Sequence, residues 1–230
     1  MAYRPWQDTV RKLAPQSSKR FIASLMTSSL VGTVLKKKDW ISSRGGEFFV
    51  VHERISGQEA ASIFWGLRER AEVDFVKRLL PINSNTAVVE LGSSLGVVAC
   101  AVAKRKPQHM VVVEADPELM ELCGINLRKN AFPETQIEYL NSLVRYGGLA
   151  EAEFVAGSTT TSGKIKSHEG SGVGLFIQTT TLSKILDRYA IEEYVLISDI
   201  EGAEAEIWFQ DEHALKNCRA IVVELEDTEH

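Results

Sequence analysis

Ala87-Val88-Val89-Glu90-Leu91-Gly92-Ser93-Ser94-Leu95-Gly96 is the stretch that decides the fold. A short, mostly apolar strand runs into a loop bounded by two glycines, and a helix is predicted across 95–105. The same unit returns downstream. Met110-Val111-Val112-Val113-Glu114 predicts a second strand, followed by a helix over 117–130 with Asp116 placed to cap it and Pro117 at its first position. Residues 136–140 read as a shorter third strand. A helix at 181–190, a strand at 194–199, a helix at 203–216 and a strand at 220–225 continue the alternation. Apolar strands alternating with helices imply a mostly parallel sheet covered on both faces. Right-handed crossovers make it an open, doubly wound α/β sheet. Ligands of such sheets bind outside the carboxyl ends of the strands. Chemistry is therefore expected at 90–96, Glu114, Asn141 and 199–202.

Outward from this core the signals weaken. Residues 1–45 read as an irregular or helical lead-in, 48–51 as a short strand, and 58–80 as one helix stopped by Pro81. The interval 141–178 is rich in Gly, Ser and Thr and breaks the rhythm; a hairpin or loop flanked by strands at 152–156 and 173–178 is expected. The expected organisation is an N-terminal helical and strand extension over 1–80, packed on or capping the sheet, and a ligand-binding domain over 81–230.

The chain has 230 residues and is 44% hydrophobic, enough to bury a full core, which argues against disorder throughout. A net charge of −5 argues against a protein that grips nucleic acid by charge. Cys100, Cys123 and Cys218 are odd in number and widely spaced, so neither a disulfide framework nor a zinc set is expected, and a reduced, cytoplasmic setting is. The apolar stretch 21–35 is too short and too rich in Ser and Thr for a membrane span, which needs roughly 20 mostly apolar residues. Five basic residues among the first twenty leave an organellar or membrane-surface role open.

The loop at 92–96 is not the dinucleotide fingerprint, which needs three glycines and aims backbone amides at a pyrophosphate. Here Glu90 precedes Gly92 by two, and Gly96 follows it by four, with Ser93 and Ser94 between. A carboxylate beside the loop disfavours a pyrophosphate and favours a ligand carrying an ammonium group. S-adenosylmethionine has an amino-acid end and a positive sulfonium, so the spacing points to that cofactor; a tight turn without a ligand is the alternative. Glu114 could accept both ribose hydroxyls. Asn141, with Tyr139, could border the adenine ring. Asp199-Ile200-Glu201-Gly202-Ala203-Glu204 sets acids at the mouth of the sheet, where Asp199 and Glu201 could bind or deprotonate a hydroxyl or cap the next helix. Two such acids supply only part of an oxygen-ligand cage, so no metal is predicted.

In order along the chain, these residues resemble the FkbM-type methyltransferases over roughly residues 66–226. The family's Gly-x-aromatic-Glu segment stands as Gly66-Leu67-Arg68-Glu69, with arginine in place of the aromatic residue. Its acid-x-Gly-Ala-Asn-x-Gly loop is 90–96, with Ser93-Ser94 for Ala-Asn. Its Glu-Pro-x-Pro pattern appears as Glu114-Ala115-Asp116-Pro117, and its Asn-rich helix end as Asn126 and Asn130. Thr181-Leu182-Ser183-Lys184-Ile185-Leu186 and Ile221-Val222-Val223-Glu224 follow the pattern, and Asp-x-Glu-Gly-Ala-Glu is intact at 199–204. A lysine often found two before that Asp is Ile197. The resemblance implies a Rossmann-like class I fold and an S-adenosyl-L-methionine-dependent enzyme, most often an O-methyltransferase acting on hydroxyls of sugars or small natural products. It implies cofactor binding by Glu90, Gly92, Ser93, Ser94, Gly96, Glu114, Ala115 and Asn141, and catalysis by Asp199 or Glu201, with Glu69 reaching the same mouth. The usual last two strands, an antiparallel hairpin, are not expected after 220–225. That leaves a sheet edge to be explained by a shortened chain, by an N-terminal segment covering it, or by a homodimer pairing it. A non-catalytic binding or scaffold protein on the same fold is the competing function.

Overall fold

The computed structural model describes residues 27–83, 85–157, 160, 164–165, 174–200 and 203–224. Five strands form its central sheet: β3 (Ala87–Leu91), β4 (His109–Glu114), β5 (Gln136–Asn141), β10 (Tyr194–Ser198) and β11 (Cys218–Val223). Their order is β11-β10-β3-β4-β5, and every neighbouring pair is parallel. The chain starts in the middle strand, winds outward to β5, then crosses back and winds to β11. The reversal falls between β3 and β10, which is the switch point where doubly wound sheets bind ligands.

Strand pleating divides the core into two clusters. Val88, Met110, Val112, Val195, Ile197 and Val222 point to one face, under helices α3 (Arg70–Leu79), α4 (Val97–Ala103) and α5 (Pro117–Asn130). Val89, Leu91, Val111, Val113 and Leu196 point to the other, under α6 (Leu182–Arg188) and α7 (Glu204–Gln210). β3 and β10 are buried at every position, as central strands covered on both faces must be. Asp116 caps α5 through the N–H groups of Glu118 and Leu119, with Pro117 in the first turn, as the sequence led us to expect.

Three elements depart from expectation. The helix expected over 58–80 is two, α2 (Gly57–Phe64) and α3. Gly66 takes φ +62°, its N–H reaches the Ile63 carbonyl, and the Leu67 N–H reaches that of Ser62, a paired C-terminal lock that stops α2. The helix expected over 203–216 breaks at Asp211, whose buried carboxylate accepts the Tyr146 hydroxyl at 2.8 Å and the Ser183 N–H at 2.9 Å; a 3-10 turn over Glu212–Asn217 follows. The third is β1 (Trp40–Ser42), which pairs as a hairpin with β2 (Glu47–Phe49), a strand that overlaps the one expected over 48–51, after α1 (Ser29–Leu35) of the expected helical lead-in. Ile41 and Phe48 of the hairpin join the same core cluster as α4 and α5.

Between β5 and α6 the expected pair of strands is present as β7 (Glu151–Val155) antiparallel to β9 (Leu175–Thr180), with β6 (Leu143–Val144) and β8 (Lys164–Ile165) on either side. β11 lies at the end of the large sheet. None of the described helices is long and apolar enough to cross a membrane.

Candidate active site

Leu91 ends β3, and the chain turns at once. The Gly92 and Ser93 N–H groups both donate to the Val113 carbonyl, at 2.9 and 3.0 Å, so the turn hangs from the end of β4. Gly92 has φ +79°, and a Cβ there would lie 1.8 Å from the Asp199 carbonyl oxygen. The Asp199 N–H in turn donates to the Leu91 carbonyl at 3.0 Å. The close approach that requires glycine is therefore one made by the protein's own strand end. Gly96 has φ +76°, and a Cβ there would meet the Cys123 Sγ of α5 at 2.8 Å. Ser94 takes φ +46°, a left-handed conformation that asparagine adopts more readily than serine. It occupies the place where the family pattern has asparagine.

The acids gather around this loop. Glu90 is 3% exposed, and its Oε2 has no hydrogen-bond partner among the described residues. Burial pushes its carboxyl well above the usual carboxylate range. Glu69 beside it adds to the rise, the Ala99 N–H opposes it, and Asp199 and Glu114 add smaller amounts. Glu69, itself left-handed at φ +47°, accepts from Arg68 Nε at 3.1 Å and from the Val98 N–H. Its carboxyl is raised by burial, against the pull of Arg68. Both side chains thus sit at the first turn of α4, which has unpaired N–H groups to offer.

Glu114 accepts the Ser94 N–H at 2.8 Å and the Asp116 N–H at 2.9 Å, one on each oxygen. Burial still raises its carboxyl against those two bonds and a third from the Ala115 N–H. The Asn141 amide donates to the carbonyls of Glu114 and Ala115, at 2.8 and 2.9 Å, and ties the end of β5 to that of β4. Glu204 turns back to accept the Ile200 N–H at 2.7 Å. Glu201, the other expected catalytic acid, lies outside the described residues, as does Gly202. The structure thus brings Glu69, Glu90, Gly92, Ser93, Ser94, Gly96, Glu114, Ala115, Asn141 and Asp199 to one end of the sheet. Among the described residues no group of three His, Cys, Asp or Glu side chains is arranged to hold a metal ion.

Several contacts of the site could not be read from the sequence, even where, as at Asn126 and Asn130, the residue itself belongs to the motif. Arg54 forms a buried ion pair with Asp116, two residues beyond Glu114. Asn126 donates to the Leu95 carbonyl of the loop at 2.9 Å and accepts the Phe49 N–H of β2 at 2.8 Å. Asn130 pairs with the Glu47 backbone in both directions, at 2.7 and 2.8 Å. These two asparagines of the motif clamp the N-terminal hairpin to α5. Thr160 reaches the loop from the insertion: its carbonyl accepts the Ser94 hydroxyl at 3.1 Å, and its own hydroxyl donates to Glu59. Ser56-x-x-Glu59 is a legible capping box, but nothing local predicts its second use.

The methyltransferase FkbM domain matches residues 92–230, from the glycine that opens the loop. No curated protein matches the chain. The matched segment carries Glu114, the Asn126 and Asn130 clamp and four of the five strands of the parallel sheet, and its sequence holds the 199–204 motif. The chain belongs to the FkbM methyltransferase family.

Proposed function

We propose that the protein is an S-adenosylmethionine-dependent methyltransferase that methylates a hydroxyl on a sugar or small natural product. The observation that carries the reading is the convergence of Glu90, Glu114 and Asp199 at the ends of three adjacent parallel strands, around a loop fixed by Gly92. The cofactor, when bound, supplies a methyl group on a positive sulfonium. The residues present fit such a group. The Glu90 oxygen, without a partner among the described residues, offers an acceptor in the acidic surroundings a cation prefers. A carboxylate has about four lone-pair sites, and Glu114 accepts the N–H groups of Ser94, Asp116 and Ala115, leaving about one for a ribose hydroxyl. Gly92, Ser93, Ser94 and Gly96 shape the loop, and Ala115 and Asn141 border the next strand ends.

In this reading the chain aligns the acceptor hydroxyl and excludes water. Of Asp199 and Glu201, one orients that hydroxyl and the other takes its proton; Asp199 is assigned the proton. Glu69 stands behind Glu90, and its part is to set the charge of that neighbour. Removing a group that takes a proton in the transition state costs about 10²–10⁴-fold. Asp199→Asn is therefore expected to lower methyl transfer to a hydroxyl acceptor at least a hundredfold while cofactor affinity stays within a few fold. Asp199→Asn and Glu201→Gln variants that turn over at the parent rate would remove the pair from catalysis.

A second reading, a non-catalytic binding or scaffold protein, is favoured by one feature. Glu114 and Ser94 are already engaged by Ser94 N–H, Asp116 N–H and the Thr160 carbonyl. That reading predicts no label transfer from methyl-labelled cofactor to any hydroxyl acceptor in a broad panel.

A further inference from the structure

A line of polar contacts runs from the loop to the acid pair, and the catalytic reading does not use it. Thr160, 3% exposed, is its centre. Its carbonyl accepts the Ser94 hydroxyl at 3.1 Å, and its hydroxyl donates to Glu59 Oε1. The same Glu59 oxygen lies 3.7 Å from Arg68 Nη1, and Arg68 Nε donates to Glu69 at 3.1 Å. Glu69 is the neighbour that contributes most, after burial, to raising Glu90. The other oxygen of Glu59 accepts the Ser56 N–H at 2.8 Å, so α2 holds the carboxylate in place. Burial works to raise the Glu59 carboxyl, but the bonds from Thr160 and Ser56 outweigh it and hold the group ionised.

We propose that Glu59 is a positioning residue for the cofactor loop: through Thr160 it fixes the insertion against Ser94, and through Arg68 it links that contact to the Glu69–Glu90 pair. The inference rests on the methyltransferase reading for its ligand. Ser94 is the residue whose N–H also holds Glu114, so a shift of Thr160 is felt at the group assigned to the ribose. A hydrogen bond to an ionised group is among the stronger ones, and its loss is read as roughly a tenfold change or more.

Three variants test the proposal. Thr160→Val removes the hydroxyl and keeps the shape. Thr160→Ser keeps the hydroxyl. Glu59→Gln removes the charge while preserving the capping box, which glutamine also satisfies. Tryptic cleavage at Lys164 of the ligand-free protein reads the anchoring, and calorimetry with S-adenosylmethionine reads the coupling. The expected result is cleavage about tenfold faster and affinity about tenfold weaker in Thr160→Val. Both changes should be smaller in Glu59→Gln and absent in Thr160→Ser, and the effects of Thr160→Val and Glu59→Gln should be less than additive when combined. Parent-like cleavage in Thr160→Val overturns the anchoring. Faster cleavage with parent affinity overturns the positioning role alone. A parent protein that binds no cofactor overturns the methyltransferase reading and the positioning role together.

Discussion

At the scale of single residues, the carboxyls of Glu69 and Glu90 pose the sharpest physical question. They share the first turn of a seven-residue helix, and burial raises both. A carboxyl raised on folding keeps its proton after the unfolded chain has released its own. Its stabilising contribution is complete below the ordinary pKa near 4.5 and drains away as pH rises through the folded value. Glu90→Gln mimics the protonated form and keeps an acceptor for the Ala99 N–H. Calorimetric melting of the ligand-free protein should therefore find the variant more stable than the parent at pH 8, by a few degrees, and converging with it toward pH 4.5. A parent more stable than the variant at pH 8 would contradict this account of the pair. Glu114, Gly92 and Asp199 were legible because strand-end positions and a glycine loop are local signals. What Gly92 avoids was not legible, because the Asp199 carbonyl lies more than a hundred residues away along the chain. The sharing of one helix end by Glu69 and Glu90 was hidden for the same reason.

Among the elements, the five core strands could be read directly, since buried apolar runs between turn signals have few other structures open to them. The helix over 58–80 was misread because apolar periodicity continues through Gly66, and periodicity alone does not reveal a left-handed stop. The break at Asp211 was equally hidden, since its partners Tyr146 and Ser183 come from other elements. Of the hairpin β1–β2, the strand at 48–51 was readable but its partner β1, three residues long, was not. The hairpin is held by side chains of α5. Asn130, 9% exposed, satisfies both backbone groups of Glu47. Asn130→Ala leaves those groups without their partner and should cost about 3 kcal/mol. At this chain length that is roughly 6–12 °C in Tm. Hydrogen exchange should show the Glu47 and Phe49 amides losing protection while β3 and β10 keep theirs. Unchanged exchange at Glu47 would show that the hairpin stands without its clamp.

For the whole molecule, the doubly wound order places the switch point between β3 and β10, and the family match begins where β3 ends. Sequence pattern foresaw that arrangement because alternating strand and helix runs admit few topologies once crossovers are right-handed. It did not foresee how far the site depends on chain outside the matched segment. Glu59, Arg54 and the hairpin come from before residue 92 and hold Thr160, Asp116 and α5. In the proposed function, the acidic strand ends around the 92–96 loop form a site for S-adenosylmethionine. Titration calorimetry of the full chain against S-adenosylmethionine, S-adenosylhomocysteine and NAD tests it most directly, with Glu114→Ala alongside. Both sulfur ligands should bind, NAD should not, and Glu114→Ala should weaken both sulfur ligands at least tenfold while melting as a folded protein. No heat from either sulfur ligand at high excess, or equal binding by parent and Glu114→Ala, would contradict the claim.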